Sequence, residues 1–374
     1  MKNSNNYRST FAIILPIGLL FTLFLFSQRH TINKNYNFQW NSAIENNTAC
    51  VLDLIVVDDK QRGAHVFSID DSTNFQPLIQ NNLEWITMVS WGFQDDFDSP
   101  LVTHHDGDSL YMLNHDVHWI HNIELARAAG FKVFFKPHLW IISPSEGKWR
   151  SDIYPISEEN WELWKDSYRN FILRYARVAE QANAEMYCIG AEFSRLTIEK
   201  PDYWKSLIQE IRNIYSGKIT YAANWYNEFE EIIFWNELDY IGIQAYFPLA
   251  KNKYPSVEQI SKGWNKYFPA MEATHKKYNR QIIFTEMGYR STANCAIKPW
   301  EWIEDSSVQK NPFSLESQAN CYEAFFNTVW KKDWFAGVHI WQFRSNYVED
   351  DGKDNLDFTP QGKPAESVIA KGFE

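Results

Sequence analysis

The sequence predicts one closed (β/α)8 barrel, an α/β TIM barrel, and three features carry that reading. Between residue 63 and the carboxyl terminus, eight short apolar segments alternate with helical stretches. Each apolar segment is a continuous run, not an alternation of apolar and polar residues, as parallel strands covered on both faces require. No segment is followed by the glycine-rich phosphate turn that doubly wound open sheets often carry, so the closed barrel is the simpler architecture. A chain of 374 residues, 45% of them hydrophobic, has the length and the core for a single barrel of roughly 250 to 350 residues.

Taken in order, the first barrel strand is expected at 63–67, after an apolar segment at 51–57 that has no assigned place. A helix at 73–82 leads to a strand at 85–91. A polar loop with His104, His105, Asp106 and Asp108 leads to a helix at 115–129 and a strand at 132–138. The helix at 158–181 places Trp161, Trp164, Tyr168, Phe171, Ile172 and Tyr175 at helical spacing, so one face is built for burial. It delivers the chain to a strand at 186–192. There follow a helix at 203–215, a strand at 218–224, a short helix ending near Leu238, a strand at 240–246, a helix at 257–278 and a strand at 281–286. A long loop, a helix at 315–334, a strand at 337–341 and a helix after Pro364 complete the barrel.

Ahead of this domain, placed at residues 49–374, Phe11 to Phe26 form an uncharged run preceded by Lys2 and Arg8 and followed by Arg29. Residues 1–30 therefore read as an export segment. No small-x-small cleavage site follows, which favours an uncleaved membrane anchor over a cleaved signal, although the run is short for a ~30 Å hydrocarbon core. Residues 31–48, rich in Asn and Thr, read as a polar tether. The whole chain's net charge of −11 and the absence of any basic run argue against nucleic acid or an anionic membrane surface as partner, the anchor apart. A neutral substrate is compatible with that charge.

The 17 Trp, 19 Tyr and 26 Phe are more than a core of this size requires, so some should line a surface, such as a cleft where a flat indole covers the apolar face of a sugar ring. Of the four cysteines, Cys188 falls in a buried strand and reads as an inert thiol. Cys295 and Cys321 bracket the long loop and the next helix and are candidates for a disulfide in an exported chain. No zinc-site spacing or nucleotide motif occurs. The acidic stretch from Asp350 to Asp357 lacks the spacing and closing glutamate of a calcium loop and reads as a solvated turn; His104 to Asp108 reads as a polar flap.

The chemistry is expected at two glutamates. Glu192 ends the fourth predicted strand and Glu286 the seventh, and carboxylates at the carboxyl ends of barrel strands meet at one mouth. Such a pair can cleave a glycosidic bond, with retention when the carboxyl groups lie about 5 Å apart and inversion when roughly 6.5 to 9.5 Å separates them.

The motifs Gly190-Ala191-Glu192-Phe193-Ser194, Gln244-Ala245-Tyr246-Phe247-Pro248-Leu249 and Phe284-Thr285-Glu286-Met287-Gly288-Tyr289 resemble those of glycoside hydrolase family 113, retaining β-mannanases, over about residue 60 to the end. The resemblance implies that Glu192 is the acid/base, Glu286 the nucleophile, and Tyr246 a hydrogen-bond donor to Glu286. It implies a neutral β-linked glycan as substrate and no cofactor or metal. The wider clan has Asn before the acid/base where this chain has Ala191, so Asn224 becomes a candidate for contact with the sugar 2-hydroxyl. Lys136, His138 and Arg290 are candidate groups around Glu286, Gln244 a candidate substrate contact, and Trp91, Trp140, Trp225 and Trp341 candidate sugar surfaces, with Trp341 as floor. Three readings stay open: a glycosidase on β-linked mannose or glucose polymers, a transglycosylase of the same fold, and a barrel that only binds glycan.

Overall fold

The computed structural model describes residues 60–103, 109–302, 310–347 and 355–374. The expected anchor, the tether, the segment at 51–57, the loop at 104–108 and most of the acidic stretch before Asp357 lie outside the described residues. No described helix is long and apolar enough to cross a membrane.

Eight parallel strands close into a barrel: β1 (Gln61–Phe67), β2 (Trp85–Met88), β4 (Lys132–Phe135), β6 (Met186–Ala191), β7 (Lys218–Asn224), β8 (Ile241–Gln244), β9 (Ile282–Met287) and β10 (Phe335–Arg344). Each pairs with the next, and β10 closes on β1. Two further strands, β3 (Trp91–Gln94) and β5 (His138–Ile141), form a small parallel pair. The expected single strands at 85–91 and 132–138 thus each break in two, at Val89–Ser90 and at Lys136–Pro137. Lys136 N donates to Met88 O and His138 N to Ser90 O, so the hydrogen bonds between the two run on across the break; Pro137, between them, lacks the N–H that would turn toward β6. Beyond the break, Trp91 sits opposite His138 and Phe93 opposite Trp140, so β3 and β5 prolong β2 and β4 past the barrel's carboxyl end.

The described helices are α1 (Gln76–Gln80), α2 (Ser109–Ala128), α3 (Glu158–Gln181), α4 (Ser194–Glu199), α5 (Pro201–Arg212), α6 (Val257–Trp264), α7 (Phe268–Tyr278), α8 (Leu315–Asn327) and α9 (Pro364–Gly372). The helix expected at 257–278 is two. Pro269 lies in the first turn of α7, where its missing N–H costs nothing, whereas inside one continuous helix it would break the ladder. The short α4 was not expected, and α8 stops seven residues before the expected end at 334.

All six apolar positions read from the sequence of α3 are buried. Ser157 caps this helix by accepting from Asn160 N, and Glu158 and Glu159 complement its dipole in the first turn. Trp164 stacks on Tyr168 at 4.8 Å and 7°. The Tyr168 hydroxyl then donates to Ile189 O on β6 at 2.8 Å. A Cβ at Gly190 would lie 2.8 Å from that hydroxyl, so glycine is required for the helix to reach the strand. Inside the barrel a second, smaller core packs Trp85, Phe134, Met186, Cys188, Ala191, Ala222, Ile283 and Ala336. Burial pushes the Cys188 thiol up to about 11, keeping it protonated. Cys295 and Cys321 are buried free thiols with their sulfurs 3.7 Å apart, adjacent but not bonded.

Trp164→Ala should cost about 3 to 5 kcal/mol in urea unfolding, because it removes the stacked centre of the layer between α3 and β6; a loss under about 1 kcal/mol would show that this layer collapses to fill the space. Mild oxidation of folded protein should join Cys295 to Cys321, recovered as one linked peptide by non-reducing mapping, since only a small approach of the two sulfurs is needed. Recovery of both as free thiols after oxidation would show that the core around them does not yield.

Candidate active site

The site is built where strand registers slip. On β9 the pairing with β8 shifts so that Gln244 stands opposite Glu286, and the pairing with β10 shifts between Val338 and Ile340. Such irregularities re-aim side chains at strand ends. Gly288 lets the end of β9 lie against β10, since a Cβ there would meet Trp341 O at 2.3 Å.

Glu286 is 4% exposed, and both its oxygens are taken. Oε1 accepts from Lys136 Nζ at 2.5 Å and Oε2 from the Tyr246 hydroxyl at 2.9 Å. Burial, and then the charge of Glu286, push the Tyr246 hydroxyl well above its ordinary range, so it remains a donor. Lys136, fully buried, also donates to Gln244 Oε1 at 2.6 Å and to Thr285 O at 3.4 Å. His138 Nε2 and His65 Nε2 lie 3.4 and 3.9 Å from Glu286 Oε1. Burial first, and then the Lys136 charge, push both imidazoles well below their ordinary value, so they are neutral.

Glu192 is the first residue beyond β6. Its φ of +62° is left-handed, a conformation that costs a residue with a Cβ about 1 kcal/mol or more and persists only when its surroundings enforce it. Its N–H donates to Ala222 O on β7 at 2.9 Å. Glu192 Oε2 accepts from Arg150 Nη2 at 2.7 Å, and Arg150 Nη1 lies 3.1 Å from His138 Nδ1. A guanidinium can only donate, so Nδ1 is the acceptor and the neutral ring carries its proton on Nε2, facing Glu286. The two carboxylates are therefore joined by a relay of contacts through Arg150 and His138. Arg150 escaped the sequence reading because it sits in a single 3-10 turn, Arg150–Asp152, within an aromatic loop that has no periodic signal.

A third carboxyl, Glu228, is fully buried behind Glu192. Its Oε1 accepts from the Tyr221 hydroxyl at 2.6 Å and from Thr197 Oγ1 at 3.1 Å, and its Oε2 from Asn224 N at 2.7 Å and Ser194 Oγ at 3.0 Å. Burial pushes it up to about 7 against those bonds. The Asn224 side chain donates to Ser194 Oγ at 3.0 Å, which places it in this network beside the acid/base candidate.

Aromatic rings surround the mouth. Trp91 packs between His138 and Trp140 at 5.3 and 5.8 Å, and Trp140 meets Trp149 at 5.6 Å. Trp341, 6% exposed, lies 4.9 Å from His65 and 6.3 Å from Trp302. Trp225 stacks on Trp300 at 5.6 Å and 24°, with Tyr226 at 4.9 Å. Trp300, Trp302 and Tyr226, all exposed, were not singled out from the sequence because they lie in loops. One expected residue goes elsewhere. Arg290 is buried in the loop after β9, where it donates to Lys298 O at 3.1 Å and approaches Glu301 at 4.0 Å; the cation on Glu286 is Lys136. Asp357, at the edge of the acidic stretch, pairs with Arg344 and Lys363. Among the described residues no group of three or more His, Cys, Asp or Glu could hold a metal ion.

No curated protein matches the chain. Among solved structures, a complex of a β-1,4-mannanase of glycoside hydrolase family 113 is 26% identical, covers 84% of this chain and 98% of its own, and superposes with a TM-score of 0.70. The family 113 β-mannanase AaManA from Alicyclobacillus acidocaldarius, in complex with ManMIm, is 25% identical over 84% of this chain and 97% of its own, with a TM-score of 0.69. A β-glucuronidase from Ruminococcus gnavus shares the fold, at 14% identity over 84% of this chain and 50% of its own, with a TM-score of 0.54. The model of Glycoside Hydrolase Family 113 matches residues 62–363, from the second residue of β1 to the residue before α9 and across both glutamates. The chain belongs to glycoside hydrolase family 113 and is a glycoside hydrolase.

Proposed function

We propose that the protein hydrolyses β-1,4-linked mannan with retention of anomeric configuration, Glu286 acting as nucleophile and Glu192 as acid/base. The observation that carries the assignment is the different setting of the two carboxylates: Glu286 is held from both sides by Lys136 and Tyr246, whereas Arg150 engages only Oε2 of Glu192. A nucleophile must be fixed against one carbon, and the double contact does that. An acid/base must meet the glycosidic oxygen and later a water, and Glu192 Oε1 is left for both.

In the first step the Glu286 carboxylate bonds the anomeric carbon while the glycosidic C–O bond breaks and Glu192 gives its proton to the departing oxygen. In the second, Glu192 takes a proton from water, whose oxygen displaces Glu286 from that carbon. The substrate class is supported by the β-mannanases that the chain resembles and by the exposed Trp300, Trp302 and Tyr226 at the mouth. We also propose that residues 11–26 export the chain and hold it at the membrane, on the strength of their uncharged apolar run.

Full-length protein on β-1,4-mannooligosaccharides should release the β-anomer first by NMR, and the same protein on cellooligosaccharides should be much slower; an α-anomer formed first would overturn retention. Glu286→Ala should lose several orders of magnitude on every substrate. Glu192→Ala should keep glycosyl-enzyme formation with a dinitrophenyl leaving group, and azide should rescue it as the β-glycosyl azide. An α-azide from Glu192→Ala would reverse the two assignments. In cell fractionation the full chain should sediment with membranes and a form lacking residues 1–30 should not; equal partition of both would refute anchoring.

A further inference from the structure

We propose that Glu228 is a positioning residue for Glu192, tying the loop after the fourth barrel strand to the loop after the fifth so that the acid/base carboxylate keeps its place. The proposal rests on the reading of Glu192 as acid/base. The backbone at Glu192 is left-handed, and something must enforce it. Three successive residues are held from β7 and its following loop: Glu192 N by Ala222 O, Phe193 N by the Tyr221 hydroxyl, and Ser194 Oγ by Glu228. Two of these three anchors end on the Glu228 carboxyl, because the Tyr221 hydroxyl passes its own proton there.

Proton accounting explains why the residue is a carboxyl. The Tyr221 oxygen accepts from Phe193 N–H, so its proton must go to Glu228 Oε1. Ser194 Oγ accepts from the Asn224 side chain, so its proton goes to Oε2, where Asn224 N–H also donates. Those three donors are committed. Thr197 is not, for its hydroxyl lies 3.1 Å from both Glu228 Oε1 and Ser194 O. With Glu228 ionised, Thr197 donates to it; with Glu228 protonated, it donates to Thr197, whose own proton turns to Ser194 O. Both forms keep the loops tied. A glutamine cannot do this, because its amide nitrogen would face a committed donor, Tyr221 on one side or Asn224 and Ser194 on the other.

The test compares full-length Glu228→Gln with Glu192→Ala on mannan and on dinitrophenyl β-mannoside, with thermal melts alongside. Glu228→Gln should lower kcat on mannan about tenfold or more with KM little changed, because leaving-group protonation needs the acid in place. The burst of dinitrophenol should stay near the wild-type rate, since that leaving group needs no proton. Ser194→Ala, a milder break in the same network, should show the same split several-fold and stands in should Glu228→Gln not fold. Wild-type rates for Glu228→Gln and Ser194→Ala on mannan, beside a defective Glu192→Ala, would overturn the proposal and leave the acid/base assignment standing. Equal losses on both substrates with a lowered melting temperature would overturn it in favour of a purely structural role. A Glu192→Ala variant that kept its rate on mannan would remove the assignment and the proposal together.

Discussion

The buried ion pair between Lys136 and Glu286 is the constraint from which the rest of the mouth follows. Lys136 is the first residue past the third barrel strand and Glu286 lies at the end of the seventh, and neither is exposed beyond 4%. Removing one partner from such a pair typically costs about 3 to 5 kcal/mol, because the other is left as an uncompensated buried charge. Lys136 acts on more than Glu286. Its charge, after burial itself, also lowers His65, His138 and His339, the last to about 3. Three imidazoles around the axis are thus kept neutral. Neutrality matters most at His138, where Arg150 on one nitrogen then leaves a proton on the other, directed at Glu286.

Residues at strand ends were legible and residues in loops were not. Glu286, Lys136 and His138 follow from locating the carboxyl end of an apolar run, since a parallel barrel sends such positions into its mouth, whereas Tyr246 and Gln244 came from the motif that carries the family resemblance. The structure joins the other four around the Glu286 carboxylate. Arg290 fails the same logic because it lies past Gly288, where the chain has left the sheet. Arg150, Glu228, Trp300 and Trp302 sit in irregular segments whose course depends on partners distant in sequence, such as Glu192 for Arg150. Pro137 could have been read as a break, and the pair β3 and β5 with it, but a proline within an apolar run does not say that the strands resume beyond it.

The two glutamates differ in how their surroundings constrain them, and that difference suits the two roles proposed. In the proposed mechanism, esterification of Glu286 would remove its charge and leave Lys136 buried without a counter-ion. Gln244 Oε1 and Thr285 O would remain as acceptors for its ammonium group. Glu192 is held at one oxygen only, by Arg150, which is itself buried. Arg150 also stands over Trp149 and donates to His138, so movement of the Glu192 carboxylate toward a glycosidic oxygen would loosen one contact of a guanidinium that keeps others. The main chain beneath Glu192 is tied by Glu192 N–H donating to Ala222 O and Phe193 N–H to the Tyr221 hydroxyl, and the next side chain, Ser194, donates to Glu228. A tied main chain under a carboxylate held at one oxygen, with the other carboxylate held at both, fits the double displacement proposed above.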